Sequence, residues 1–229
     1  MRYFILLFLS IGVFQNTHAQ IYEVGIFAGA SNFIGDVGQT NYISPQDPAI
    51  GLLARWNRSP RHSWRVSLIY SQLSGTDIES DDPRRIARGY EFENDILEVS
   101  AGMEFTFLDF NLHELDFQYT PYLYTGISIA NHDNYYFSPN GAYTNENTSS
   151  WAYGIPMIMG FKVGLSDHLV LAGEIGARYT FSDELDGSQP DGDIRQNLAF
   201  GNTNSNDWYV FTGIALTYTF GQKPCYCNF

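Results

Sequence analysis

A strand-length unit in which apolar residues alternate with small or polar ones recurs eight times along this chain, and it constrains the fold more than any other feature. Each unit is roughly ten residues long, the length at which a tilted strand crosses a bilayer. The last copy is the clearest. From Trp208 to Phe220 the even positions read Trp, Val, Thr, Ile, Leu, Tyr and Phe, while the odd positions after the opening aromatics read Gly, Ala, Thr and Thr. Successive side chains on a strand point to opposite faces, so one face suits lipid and the other a packed interior. Only a closed barrel lets such strands live in hydrocarbon, because an open edge leaves backbone groups unpaired. The pattern predicts an all-β, eight-stranded antiparallel transmembrane β-barrel of the outer-membrane type with a plugged polar interior.

The other seven units give outward faces of Tyr22, Val24, Ile26 and Ala28; Ile50, Leu52, Ala54 and Trp56; Trp64, Val66, Leu68 and Tyr70; Leu97, Val99, Ala101, Met103 and Phe105; Tyr119, Leu123, Ile127 and Ile129; Tyr153, Ile155, Met157, Met159, Phe161 and Val163; and Leu169, Leu171, Ile175, Tyr179 and Phe181. The connections predicted between them alternate, long at 32–48, 75–92, 131–151 and 183–207 and short at 58–62, 109–115 and 165–168. Barrels of the outer membrane have long loops outside and short turns in the periplasm. With an even strand number, both termini are then expected in the periplasm.

At the N-terminus, Arg2 precedes an apolar stretch, Ile5 to Phe14, that is too short to span as a helix, and Thr17-His18-Ala19 has the form of a small-x-small cleavage site. We read residues 1–19 as a cleaved signal peptide, 20–220 as the barrel and 221–229 as a periplasmic tail. The aromatic content of 16% fits the interfacial girdles of a membrane barrel. A net charge of −13 argues against nucleic acid as a partner. The acids concentrate in two expected loops, Asp77 to Asp95 and Asp183 to Asp207, where solvated surface charge explains them and divalent cations bridging to surface glycolipid are the sharper alternative.

The inward positions carry Glu23, Arg55, Arg65, Glu98, Glu104, Lys162, Glu174 and Arg178, which balance in charge. Buried charges must pair or cost several kcal/mol each, and side chains can fill an eight-stranded interior. An internal ion-pair network and no pore is expected. Glu174 and Arg178 are too far apart along one strand for certain contact (~13 Å), so partners are expected on neighbouring strands.

No catalytic, cofactor or metal site is expected, and no small-molecule substrate. His62, His113 and His168 fall in the short turns, and three histidines on one rim without ligand spacing make no metal site. His132, beside Asp133 at the base of a long connection, is the one histidine placed for an enzyme acting on lipid, and a lone pair of this kind is more often turn chemistry. Asp186 to Asp193 has the oxygens and glycines of a calcium loop but lacks the full pattern and its terminal Glu. Gly35 in Ser31-Asn32-Phe33-Ile34-Gly35-Asp36 is expected to permit positive φ, with Asn32 and Asp36 bonding nearby backbone. Beyond Phe220 the chain continues through Lys223, Pro224, Cys225, Tyr226, Cys227 and Phe229. A strained Cys225–Cys227 bridge, a bond to a partner, and free thiols all remain open.

Three segments together carry a family resemblance: Ser31 to Asp36, Trp64 to Gly75 (W-R-V-S-L-I-Y-S-Q-L-S-G), and Phe92 to Ser100 (F-E-N-D-I-L-E-V-S). With the Cys-containing tail, the chain resembles the PorG-type outer-membrane barrels of Bacteroidota. Two tail cysteines stand where that family leads one to expect a single one. The resemblance implies a non-enzymatic subunit of the type IX secretion system, which also serves gliding motility. Such a subunit would tether a periplasmic ring, built of a PorK-type lipoprotein and a PorN-type protein, to the outer membrane. The implied partners are those ring proteins, membrane lipid and lipopolysaccharide. The tail residues and His62, His113 and His168 are the periplasmic surface a ring would grip. The alternative is a small surface- or ligand-binding barrel acting through its acidic external loops.

Overall fold

The computed structural model describes residues 21–111, 117–190, 195–202 and 205–221. The expected signal peptide and the start of the mature chain at Gln20 lie outside these residues. Eight strands follow in chain order: β1 (Ile21–Ile34), β2 (Asp47–Ser59), β3 (His62–Thr76), β4 (Glu91–Thr106), β5 (Tyr119–Phe137), β6 (Tyr143–Ser166), β7 (Leu169–Thr180) and β8 (Trp208–Phe220). Each pairs antiparallel with its sequence neighbour, and β1 closes on β8 from Tyr22↔Phe220 to Ile34↔Trp208. Closure leaves no edge for the bilayer to meet.

Alternation does the sorting. On β3 Trp64, Val66, Leu68 and Tyr70 are exposed, while Arg65, Ser67, Ile69 and Ser71 between them are buried. On β6 the exposed row is Trp151, Tyr153, Ile155, Met157, Met159 and Phe161. Trp151 to Phe161 covers ~33 Å along the strand, or ~25 Å of height at a tilt of about 40°, the thickness of a lipid-facing band. Aromatics ring one edge of the band (Tyr22, Trp64, Tyr119, Phe161, Tyr218, Phe220) and the other (Tyr70, Trp151, Tyr153, Phe181).

At one end the connections β2–β3 and β6–β7 are tight. The other end carries loops L1 (35–46), L2 (77–90), L3 (138–142) and L4 (181–207). L2 holds a short helix α1 (Pro83–Arg88), capped by the Asp82 carboxylate, which accepts from Arg84 N–H, and terminated by Gly89 at φ 67°.

Three expectations change. The long connection expected at 131–151 is a β-hairpin: β5 and β6, of 19 and 24 residues, rise past the band and turn at 138–142. Tyr135, Tyr136 and Phe137 favour strand, and Gly141 at φ 81° donates its N–H to Ser138 in the turn. The connection expected to be short near 109–115 runs from 107 to 118. The strict alternation of long and short connections is therefore lost. Finally, β1 continues through Ile34, and Gly35 has no positive φ. Gly35 answers to space: a Cβ there would lie 2.3 Å from the Phe33 ring and 2.5 Å from Asp207 Oδ1.

Candidate functional site

The interior is the part of the molecule on which function turns, because its filling decides whether anything can pass. Near the tight-turn end three acids and three bases interlock. Arg55 donates to Glu104 at 2.9 Å, to Glu23 at 3.0 Å and to Glu174 at 3.4 Å. Arg65 grips Glu174 with both terminal nitrogens, at 2.8 and 2.9 Å, and Lys162 reaches Glu104 at 2.8 Å. Tyr122 donates to Glu174, while Asn57 and Thr217 donate to Glu23. All six charged residues are buried. Their charges cancel, and the neutral donors take up remaining carboxylate lone pairs, as buried ions require.

A second pair sits one layer up. Arg178 Nε donates to Glu98 at 3.1 Å, Tyr209 donates to the same carboxylate at 2.7 Å, and the guanidinium lies 4.4 Å from the Phe211 ring centre. Glu174 and Arg178 do not meet. Their partners stand across the interior, on β2, β3 and β5 for Glu174 and on β4 for Arg178, not on the strands flanking β7. Glycines make room for the large side chains. A Cβ at Gly160 would lie 2.4 Å from the Tyr122 ring, and one at Gly176 2.6 Å from Arg178 Nη1.

Both ends are covered. At the tight-turn end Phe110 is buried and its ring centre lies 4.9 Å from Lys162 Nζ, while its N–H donates to Pro60 O. At the other end an apolar layer lies beneath the loops, beside the buried loop carboxylates Asp77, Asp186 and Asp207. Phe33, Val37, Leu73, Phe92, Phe137 and Leu185 are buried there, with Tyr90 stacked on Phe137 at 4.2 Å and Phe200 edge-on to both. The interior is thus ionic in its lower part, and beneath the loops apolar side chains pack beside buried carboxylates. Sequence reading missed Phe110, Leu185 and Phe200; burial of loop residues leaves no periodic signal.

His62 and His168 are exposed on the tight-turn rim, beside Phe105 (5.3 Å) and Tyr218 (5.5 Å) respectively. His113 lies outside the described residues, as do Lys223, Pro224, Cys225, Tyr226, Cys227 and Phe229. His132 lies on β5, not at a loop base. It is buried facing inward while the adjacent Asp133 is exposed, so the two cannot form a catalytic dyad. Its Nδ1 lies 3.2 Å from the Asp133 carbonyl oxygen. Asp186 is buried and engages backbone, and Asp191 and Asp193 lie outside the described residues. Among the described residues no three His, Cys, Asp or Glu side chains are placed to hold a metal ion.

A family model described as a domain of unknown function, DUF6089, matches residues 1–229. The chain belongs to the DUF6089 family. No curated protein matches this DUF6089 chain. Among solved structures it is similar to Ail, the attachment invasion locus protein of Yersinia pestis, at 9% identity and a TM-score of 0.45 over 89% of this chain and 99% of that one. It is also similar to a major outer membrane protein of Thermus thermophilus, at 15% identity and 0.45 over 89% and 100%. Neisserial surface protein A gives 10% identity and 0.42 over 88% and 96%.

Proposed function

We propose that this protein is a non-enzymatic outer-membrane barrel subunit of the type IX secretion system. In this reading its tight turns and C-terminal tail face the periplasm and tether the ring of PorK-type lipoprotein and PorN-type protein to the membrane. The observation that carries the reading is the filled interior. A barrel packed with paired charges and covered at both ends is a stiff membrane-embedded body without a conduit, which is what an anchor needs. The segments Ser31 to Asp36, Trp64 to Gly75 and Phe92 to Ser100 supply the link to this machine. His62 and His168, with exposed Phe107 and Leu108, offer a mixed aromatic surface on the rim from which the tail departs.

The test is affinity capture from detergent-solubilised outer membrane, comparing the intact chain with one ending at Gly221. Ring lipoproteins recovered by the intact chain and depleted by truncation support the tether and place the contact in the tail. Equal recovery moves the contact to the turns. Recovery by neither overturns the tether and favours the surface-binding alternative acting through the loops.

A further inference from the structure

L4 turns into the barrel mouth so that Leu185, Asp186, Gly187 and Ser188 are buried. Carboxylates hold it there. Asp186 Oδ2 accepts from the N–H groups of Asp36 at 2.9 Å and Val37 at 3.0 Å, and its Oδ1 from Ser188 N–H at 2.9 Å. Asp207 Oδ2 accepts from Leu185 N–H at 3.0 Å, and Asp36 Oδ2 from Asn202 N–H at 3.0 Å. Asn94 Nδ2 fixes the Leu185 carbonyl at 2.9 Å. The carboxylates of Asp186 and Asp36 thereby join L1 to L4.

Two carboxylate oxygens in this cluster are buried without a partner: Asp207 Oδ1, on a residue that is 0% exposed, and Asp183 Oδ2. Asp207 Oδ1 lies against Gly35, and Asp207 feels the charges of Asp186, Asp183 and Asp36. The charged and titratable groups facing the cluster do not relieve it. Glu184 of L4 adds negative charge at Asp183. Tyr143 of β6 is a neutral phenol within reach of the Asp186 and Asp133 charges. From L2, Arg88 donates to the Asp36 carbonyl, but its guanidinium already holds both oxygens of Asp77. Among the described residues no cationic side chain forms an ion pair with Asp36, Asp183, Asp186 or Asp207.

A carboxylate that has no counter-ion, and one of whose oxygens is buried without a donor, favours its protonated form. We propose that Asp183 and Asp207 hold protons while the Leu185–Ser188 segment of L4 is docked on L1 as a clasp, and that loss of these protons releases that segment from the barrel mouth. A proton converts an orphaned acceptor into a donor and removes repulsion among four acids. Burial, reinforced by Asp186, Asp36 and Glu184, raises the Asp183 carboxyl to about 7, and burial pushes Asp207 well above the ordinary range. The docked state therefore holds more protons than the undocked one between the ordinary carboxylate range and these raised values. Docking is strongest in acid and weakens as pH rises through about 7.

Amide hydrogen exchange on the full chain in detergent tests this at pH 5.5, 7 and 8.5, with intrinsic rates corrected. Segments containing Asp36, Val37 and Leu185 should lose at least tenfold protection between the lowest and highest pH. The Asp183→Asn/Asp207→Asn variant should retain it at pH 8.5, since amides add donors without charge. If the double variant fails to fold, Asp183→Asn alone, at the half-buried member, should move the loss to higher pH. Protection independent of pH in the parent chain, or a variant that loses it over the same range, overturns the clasp. Restoration at pH 8.5 by millimolar calcium also overturns it, because a cation would then be the missing partner.

Discussion

Glu104 shows how much a single side chain can hold in this interior. It accepts from Arg55 and Lys162 and has Arg65 at 3.9 Å, all out of water. Glu104→Gln keeps the shape and leaves one positive charge in excess, which should destabilise the barrel by about 3–5 kcal/mol, read as a lowered urea midpoint in refolding from micelles. Adding Lys162→Met should recover part of that loss, because the surplus charge goes too. Gly160 makes the complementary case in volume. Its Cβ would strike the Tyr122 ring at 2.4 Å, and that ring is locked to Glu174. Gly160→Ala should cost about 1–3 kcal/mol by overpacking, where Gly173→Ala, with nothing within 4 Å of the new methyl, should cost far less in the same assay.

At the scale of elements, L2 docks through a carboxylate of the opposite kind to those in L4. Asp77 is buried, which raises its pKa. Its bonds to Arg88 and to the N–H groups of Gly38 and Tyr90 more than offset this and hold it below the ordinary value of 3.8. A depressed acid stabilises above its undocked pKa and loses that contribution as pH falls through the docked one. L2 should therefore stay protected at pH 8.5 and open only as pH falls below the ordinary carboxylate range, which exchange across Gly38 and Tyr90 would show. Asp77→Asn should open it at neutral pH.

The strands were legible because lipid on one side and packing on the other impose a period of two, and every inward charge named from the sequence is buried. What crosses the interior was not legible. Register names the neighbours of Glu174 on β6 and β8, whereas its contact with Arg65 depends on barrel diameter and side-chain reach. The β5–β6 hairpin was read as a loop because its polar run Asn145 to Ser150 hides strand. There the bulge past Asp133 and the positive φ of Asn147 break the alternation.

For the whole molecule, two neutral charge layers and the packing beneath the loops fill the lumen formed by the described residues. Purified protein in a planar bilayer should give no steady single-channel conductance at neutral pH. Discrete open levels in the parent chain would refute a closed body. Arg178→Ala removes the bulk and charge that span the upper layer and should raise leak if that layer is the barrier.

All eight strands contribute to the two networks, from Glu23 on β1 to Thr217 and Tyr209 on β8. Bonds between adjacent strands, such as Arg55 to Glu23, can form early, but neither network is complete until the first strand meets the last. A half-closed sheet would carry naked ions on the surface that becomes its inside, and hydrocarbon would reject it. The lumen charges thus penalise an open sheet in hydrocarbon and favour the step that shuts the ring.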